Sequence, residues 1–224
     1  MTVLVSSPLD TSPTLYRHML RMGLILLSFA VAGTGLVALS FLSTQDRIAH
    51  NERMALLRQI NALLPPGSYD NDLLNDTLTV VNPNLLGSQE AVTFYRARQQ
   101  GKPLAVVFMP VAPDGYSGKI RLLVGIRENG QLLGVRVISH QETPGLGDAI
   151  EEKRSPWIYG FTDRSLQNPA EAGWRVKRDG GVFDQFTGAT ITPRAVVKAV
   201  QKSLQFYATH QSTLFAESVP PAQP

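Results

Sequence analysis

No charged side chain occurs between positions 22 and 45, and the strongly apolar centre of that stretch, residues 24–42, is 19 residues long. At about 1.5 Å of rise per helical residue it measures roughly 29 Å, close to the hydrocarbon thickness of a bilayer. A buried core helix and the apolar part of a cleavable signal peptide are the other readings, and Ala38-Leu39-Ser40 would serve as a cleavage site. Signal-peptide apolar regions usually run about 7–15 residues, so the length favours a retained transmembrane helix over 22–45. Ile48, Leu56, Ile60, Leu63 and Leu64 then recur at roughly helical spacing until Pro65-Pro66-Gly67 stops the pattern, which predicts a helical connector over 46–66. Residues 104–109 read as a strand and 110–118 as a turn. Two apolar, partly β-branched runs, 120–126 and 131–139, flank Glu128-Asn129-Gly130 and predict a hairpin. A short strand is expected at 173–177, before the turn Asp179-Gly180-Gly181. A last helix is expected to start at Thr192 and Pro193, with Val196, Val200, Leu204 and Tyr207 on one face.

Composition narrows the chemistry. The chain has 224 residues and no cysteine, which excludes disulfides, thiolate nucleophiles, Cys-ligated zinc and protein-ligated iron–sulfur clusters. Any redox role therefore needs a borrowed cofactor. Residues 1–60 hold 5 basic and 3 acidic side chains, and the remainder holds 16 and 15, so no basic stripe suited to nucleic acid is present. Arg17 and Arg21, with His18, precede the apolar run in a short tail whose one acid is Asp10, which favours a cytoplasmic N-terminus. Arg47, Arg53 and Arg58 follow the run, but they open a long domain, where flanking charge counts for less. The four histidines, His18, His50, His140 and His210, are scattered without HExxH spacing, and no protein-bound metal is expected.

Two glycine-bearing segments are candidates for chemistry. Glu142-Thr143-Pro144-Gly145-Leu146-Gly147 follows the hairpin; it lacks the third glycine and strand-to-helix setting of a dinucleotide fingerprint and reads either as a turn or as part of a site. Asp184-Gln185-Phe186-Thr187-Gly188-Ala189-Thr190-Ile191-Thr192 precedes the last helix. It reads either as a loop with an N-cap or as a phosphate site, because free amides and the positive end of the helix dipole favour an anion there.

The second segment resembles the flavinylation motif of the FMN-binding domain family, Asp184-x-x-Thr187-Gly188-Ala189-Thr190. Together with the first segment, the anchor, Pro113-Asp114-Gly115-Tyr116-Ser117-Gly118 and Asp179-Gly180-Gly181, it makes the chain similar to the G subunits of Rnf (Rsx) electron-transport complexes from the anchor to Tyr207. The resemblance implies FMN esterified through its phosphate to Thr190. A separate flavin transferase, using FAD and a divalent metal, would read Asp184, Thr187, Gly188 and Ala189, and these residues with Thr192 would border the finished cofactor. Unassisted threonine is a poor nucleophile, which fits an external enzyme. Glu142, Thr143, Gly145 and Leu146 are candidates for a second flavin-contacting surface; for Glu142 the plain alternative is a solvated turn carboxylate, and for Leu146 ordinary core. Trp157 and Trp174 are either core or flavin-stacking, and Lys177 either a solvated charge or a phosphate neighbour.

The expected architecture is α+β: one N-terminal transmembrane helix and a compact FMN-binding domain around a twisted, mainly antiparallel sheet. The expected boundaries are a cytoplasmic tail at 1–21, the span at 22–45, the connector at 46–66, the FMN domain at 67–211 and a disordered tail at 212–224. The resemblance further implies a single-pass protein of the bacterial inner membrane with its domain in the periplasm. There it would relay electrons beside the other Rnf/Rsx subunits between ferredoxin and NAD, coupled to ion movement, or help keep a redox-sensing regulator reduced. No residue of the chain is expected to be catalytic alone. The alternatives are the C subunit of a sodium-translocating NADH:quinone reductase, a membrane-anchored scaffold without flavin, and a secreted protein whose mature N-terminus lies near residue 41.

Overall fold

The computed structural model describes residues 13–216. The chain divides between Met54 and Ala55 into two compact units. Helix α1 runs Pro13–Asn61, taking in the apolar run and the expected connector as far as Asn61; residues 62–66 turn out of the helix. Its side chains from Leu15 to Ala55 are all exposed, and mean hydropathy reaches 2.2 over its most apolar 18-residue window. An apolar helix this long with none of that window buried in protein has the length and composition of a membrane span.

The second unit is α+β. Its strands are β1 (Thr77–Val80), β2 (Val92–Gln99), β3 (Lys102–Phe108), β4 (Val111–Ala112), β5 (Ile120–Arg127) and β6 (Leu132–Ser139). Short helix α2 (Pro83–Leu86) lies between β1 and β2, and α3 (Ile191–Phe215) closes the unit. The six strands form one antiparallel sheet ordered β1-β2-β3-β5-β4, with β6 on the other side of β5. The Asn129-Gly130 hairpin forms as the sequence predicts. Gly130 has φ +83°, and its amide donates to the Arg127 carbonyl at 2.9 Å.

Side chains alternate between two apolar layers, as the pleat requires. Phe94, Val106, Phe108, Leu122, Val124 and Ile126 face α3, where they meet Val196, Val200, Leu204 and Tyr207. Phe94 stacks between Phe108 at 4.3 Å and Phe206 at 5.3 Å; burying such a ring is worth about 1.5–3 kcal/mol. Ala105, Val107 and Leu123 face the opposite way, against Ile60, Leu63, Leu64 and Leu73.

The far end of α3 is held by a charge cluster. Asp76 pairs with Arg96 at 2.6 Å and with Arg98 at 2.8 Å; the two guanidiniums donate onward to the carbonyls of Ala216 (2.9 Å) and Phe215 (3.3 Å). Arg96 is only 2% exposed.

Three sequence expectations differ from the structure. Residues 173–177 do not form a ladder strand. Trp174 and Val176 are buried and Arg175 exposed, as in a strand, but the backbone bonds are spent locally in 3₁₀ turns at Glu171–Gly173 and Lys177–Asp179 and in one bridge, Val176 to Phe183. A β-carbon on Gly181 would lie 1.9 Å from the Arg175 carbonyl oxygen, so this crossing needs a glycine. Helix α3 begins at Ile191 with Thr190 as N-cap, earlier than Thr192 and Pro193. It continues to Phe215, so residues 212–215 of the expected tail are helical, while the rest of that tail from 217 and residues 1–12 lie outside the described residues.

Candidate functional site

The two glycine segments, 37 residues apart between Gly147 and Asp184, meet at the N-terminal end of α3. After β6 the chain turns through Glu142 to Gly147. Gly145 adopts φ +79°, and the amides of Leu146 and Gly147 donate to the Thr143 carbonyl at 3.2 and 3.0 Å. The second segment turns at Phe186–Ala189, closed by the Ala189 amide on the Phe186 carbonyl at 3.2 Å. Gly188 has φ +82°, the positive value that a type II turn demands at this place. A β-carbon there would approach Leu146 Cδ2 at 3.2 Å, so the two segments touch.

Glu142 joins three parts of the site. It is 4% exposed; its Oε1 accepts the Ser117 amide at 3.0 Å and its Oε2 accepts the Thr192 hydroxyl. The carboxylate is thus neither a solvated turn group nor a free group facing the cavity: it ties the 113–118 loop and the first turn of α3 to the end of β6. The Glu142 amide donates to His140 Nδ1 at 3.0 Å, which places that ring's proton on Nε2, 2.7 Å from Glu151. Gly147 sits inside this junction: a β-carbon would lie 2.9 Å from Glu142 Cβ and 3.0 Å from Thr192 Oγ1.

These segments enclose a cavity of about 400 Å³. Glu142, Thr143, Leu146 and Gly147 line one side, Gly188 to Thr192 another, and Tyr116 a third. Of the residues expected from sequence, Glu142, Thr143, Leu146, Gly188, Ala189, Thr190 and Thr192 therefore come together. Asp184, Thr187 and Gly145 do not line the cavity. Asp184 is exposed, pairs with Lys177 at 2.6 Å, and borders a neighbouring hollow with Trp157, Phe183 and Phe186. Lys177 is thus committed to Asp184. Trp174 is core, packed on Phe183 at 5.3 Å, and Trp157 donates its indole N–H to the Asp184 carbonyl at 2.8 Å. Sequence reasoning did not single out Tyr116 as a site residue, although an aromatic inside a Gly- and Ser-rich turn was the available signal.

The hydroxyls at the head of α3 differ in availability. Thr192 is fully buried and bonded to Glu142; Thr187 is exposed outside the cavity. Thr190 lines the cavity, is half-buried, and makes no side-chain cap bond. The amides of the first helical turn are consequently not taken up by their N-cap side chain, leaving the anion-favouring end of α3 open towards the cavity. Arg194 does not serve this site: it makes a paired contact with Asp179 at 2.6 and 2.8 Å, and that guanidinium holds the Asp179 carboxyl below the usual carboxylate range.

The site residues fit FMN. The volume falls within the range of about 300–1,000 Å³ usual for small-molecule sites, with exposed apolar groups at Leu146, Ile191 and Tyr116 for a flat ring system and an uncapped helix end for a phosphate.

Comparison with known sequences agrees with this picture. The FMN-binding domain profile matches residues 115–205, and a profile described as the RnfG N-terminal region matches residues 11–63. The chain is 53% identical over 200 residues to a protein of Pseudomonas aeruginosa strain UCBPP-PA14 named as the G subunit of an ion-translocating oxidoreductase complex, covering 89% of this chain and 94% of the relative. It is 46% identical to the protein of that name from Vibrio cholerae strain M66-2 (88% and 94% covered) and 44% identical to that from Aliivibrio fischeri strain ES114 (88% and 93%).

Proposed function

Because this chain belongs to the family of G subunits of ion-translocating oxidoreductase complexes, we propose that it carries FMN in phosphoester linkage on Thr190 and relays electrons within such a complex. The observation that carries the reading is the uncapped Thr190 hydroxyl at the head of α3, in the cavity shared by both glycine segments. When bound, FMN would supply one-electron transfer, while the protein binds and orients it.

Each part of the site has a task in this reading. Thr190 would supply the oxygen bonded to phosphorus; with FAD as the transferase's donor, the pyrophosphate bond would break, AMP would leave, and the hydroxyl proton would go to a base of the transferase. The described residues give Thr190 Oγ1 no hydrogen-bonded base, which supports attachment by a separate flavin transferase. The amides of Ile191 and Thr192 lie at the helix end where the phosphate charge would rest. Glu142 holds the Ser117 loop and Thr192 in register, and so fixes the distance between the cavity walls. Asp184 and Thr187, outside the cavity, remain accessible to a modifying enzyme.

A covalent flavin survives denaturation. The full-length chain, co-expressed with a flavin transferase active on a control substrate, is expected to give a flavin-fluorescent band in a denaturing gel. A flavin released by the detergent would contradict the linkage.

The remaining part of the proposal is placement: a single span in the bacterial inner membrane, N-terminus in the cytoplasm and FMN domain in the periplasm. It rests on Arg17 and Arg21 before the span and on the length of the domain that follows. The absence of cysteine makes a clean test possible. Asn129→Cys, at the exposed hairpin turn, is expected to react with a membrane-impermeant maleimide in cells with a permeabilised outer membrane; labelling only after inner-membrane lysis would reverse the orientation.

A further inference from the structure

We propose that Tyr116 is a flavin-contacting residue, its phenol ring forming the cavity wall that lies against the isoalloxazine of FMN attached at Thr190. The proposal rests on the flavin reading above and adds to it a residue outside both glycine segments. Tyr116 is the one aromatic side chain among the described residues lining the cavity. It is 69% exposed, although a Tyr ring left in water forfeits one of the larger apolar burials open to any side chain.

The exposure does not come from a loose loop. On one side of Tyr116, Asp114 pairs with Lys198 of α3 at 2.6 Å. On the other side, the Ser117 amide is held by Glu142. Between them Gly115 is so closely packed that a β-carbon would meet the Gly118 carbonyl oxygen at 2.2 Å, Glu142 Oε1 at 2.9 Å and Ile120 Cγ1 at 3.0 Å. A turn pinned at three points thus presents an aromatic ring to the cavity. Leu146 and Ile191, 43% and 45% exposed, present apolar groups to the same space from the other two segments.

Three exposed apolar side chains converging on one cavity match a flat aromatic ligand, and an offset-stacked or edge contact is what a phenol offers it. The two tryptophans are not available for this contact: Trp174 is packed on Phe161 and Phe183, and Trp157 on Phe161 and Phe186.

Close contact with a phenol or other electron-rich ring quenches flavin emission, which gives a readout independent of electron-transfer activity. Wild type, Tyr116→Phe and Tyr116→Ala are made as full-length chains in detergent, each co-expressed with a flavin transferase and checked by intact mass. The emission of each folded protein is divided by its emission after denaturation. Expected is a low ratio in wild type, a several-fold higher ratio in Tyr116→Ala with the flavin still attached, and in both variants a far-ultraviolet circular dichroism spectrum like that of wild type. Tyr116→Phe, which keeps the aromatic face but loses the electron-rich phenol, should also give a raised ratio with the flavin still attached. A loaded Tyr116→Ala with the wild-type ratio would overturn the assignment of Tyr116 alone. A wild type without attached flavin would overturn the flavin reading and this proposal with it.

Discussion

Replacing Asp76 by alanine is expected to cost about 3–5 kcal/mol of stability, which for a domain of this size lowers the melting temperature by roughly 6–20 °C. The reason is the burial of its partner. Arg96 is 2% exposed, and Asp76, at 2.6 Å, is its one ion-pair partner among the described residues. Without that carboxylate a guanidinium stays in the protein interior with the Ala216 carbonyl as its remaining acceptor. Arg98 would lose its Asp76 contact in the same step, and with it part of the hold on the last turn of α3. The contrast is Asp163, which pairs with Arg127 at the same 2.6 Å but is 65% exposed. Asp163→Asn is expected to change stability by less than about 1 kcal/mol, since exposed pairs gain little over hydration. Asparagine also tolerates the left-handed backbone at that position, φ +61°. Chemical denaturation of the full chain in detergent reads both; equal effects would show that burial does not govern the Asp76 cluster. The consequence reaches the site, because the helix that this cluster anchors at one end carries Thr190 at the other.

The same arginine explains why part of the fold was hard to read. The hairpin around Asn129-Gly130 was legible because its apolar alternation and turn chemistry agree. Strand β2 alternates too, but the buried Arg96 interrupts its apolar pattern with a charge whose partner lies 20 residues earlier. At 173–177 the error ran the other way. Trp174 and Val176 point inward at strand spacing, yet no neighbouring strand supplies hydrogen bonds, and local turns take them. The α3 start was displaced because Thr192 looks like a good cap in sequence, whereas its hydroxyl is drawn to a carboxylate 50 residues away.

The site was legible where chemistry is local and obscure where it is not. Gly188 and Thr190 lie in one turn and one helix head, and a short motif describes both. The clamp role of Glu142 depends on Ser117 and Thr192, 25 and 50 residues distant, so residue order did not reveal it. Asp184 belongs to the motif in sequence but faces Lys177 and a separate hollow, a division that residue order does not reveal.

The second large effect is all or none. Three threonines in the segment could in principle carry the phosphoester, and the structure separates them. Thr192 is buried and bonded to Glu142, so using its oxygen would break the junction that holds the cavity together. Thr187 lies in the turn before Gly188 and does not border the cavity. Thr190 alone combines access, an uncapped hydroxyl and the helix end that suits a phosphate. Accordingly Thr190→Ala is expected to abolish attachment completely. Thr187→Ala, which removes a position read by the transferase but not the acceptor oxygen, should slow attachment without abolishing it, and Thr192→Val should retain it at reduced stability, because Glu142 loses one buried donor at a cost of about 1–3 kcal/mol.

The decisive measurement is the intact mass of wild type, Thr190→Ala, Thr187→Ala and Thr192→Val after co-expression with an active flavin transferase. The account predicts wild type, Thr187→Ala and Thr192→Val heavier than the bare chain by one FMN less one water, and Thr190→Ala at the bare mass. The adduct persisting on Thr190→Ala, or absent from wild type, would contradict it.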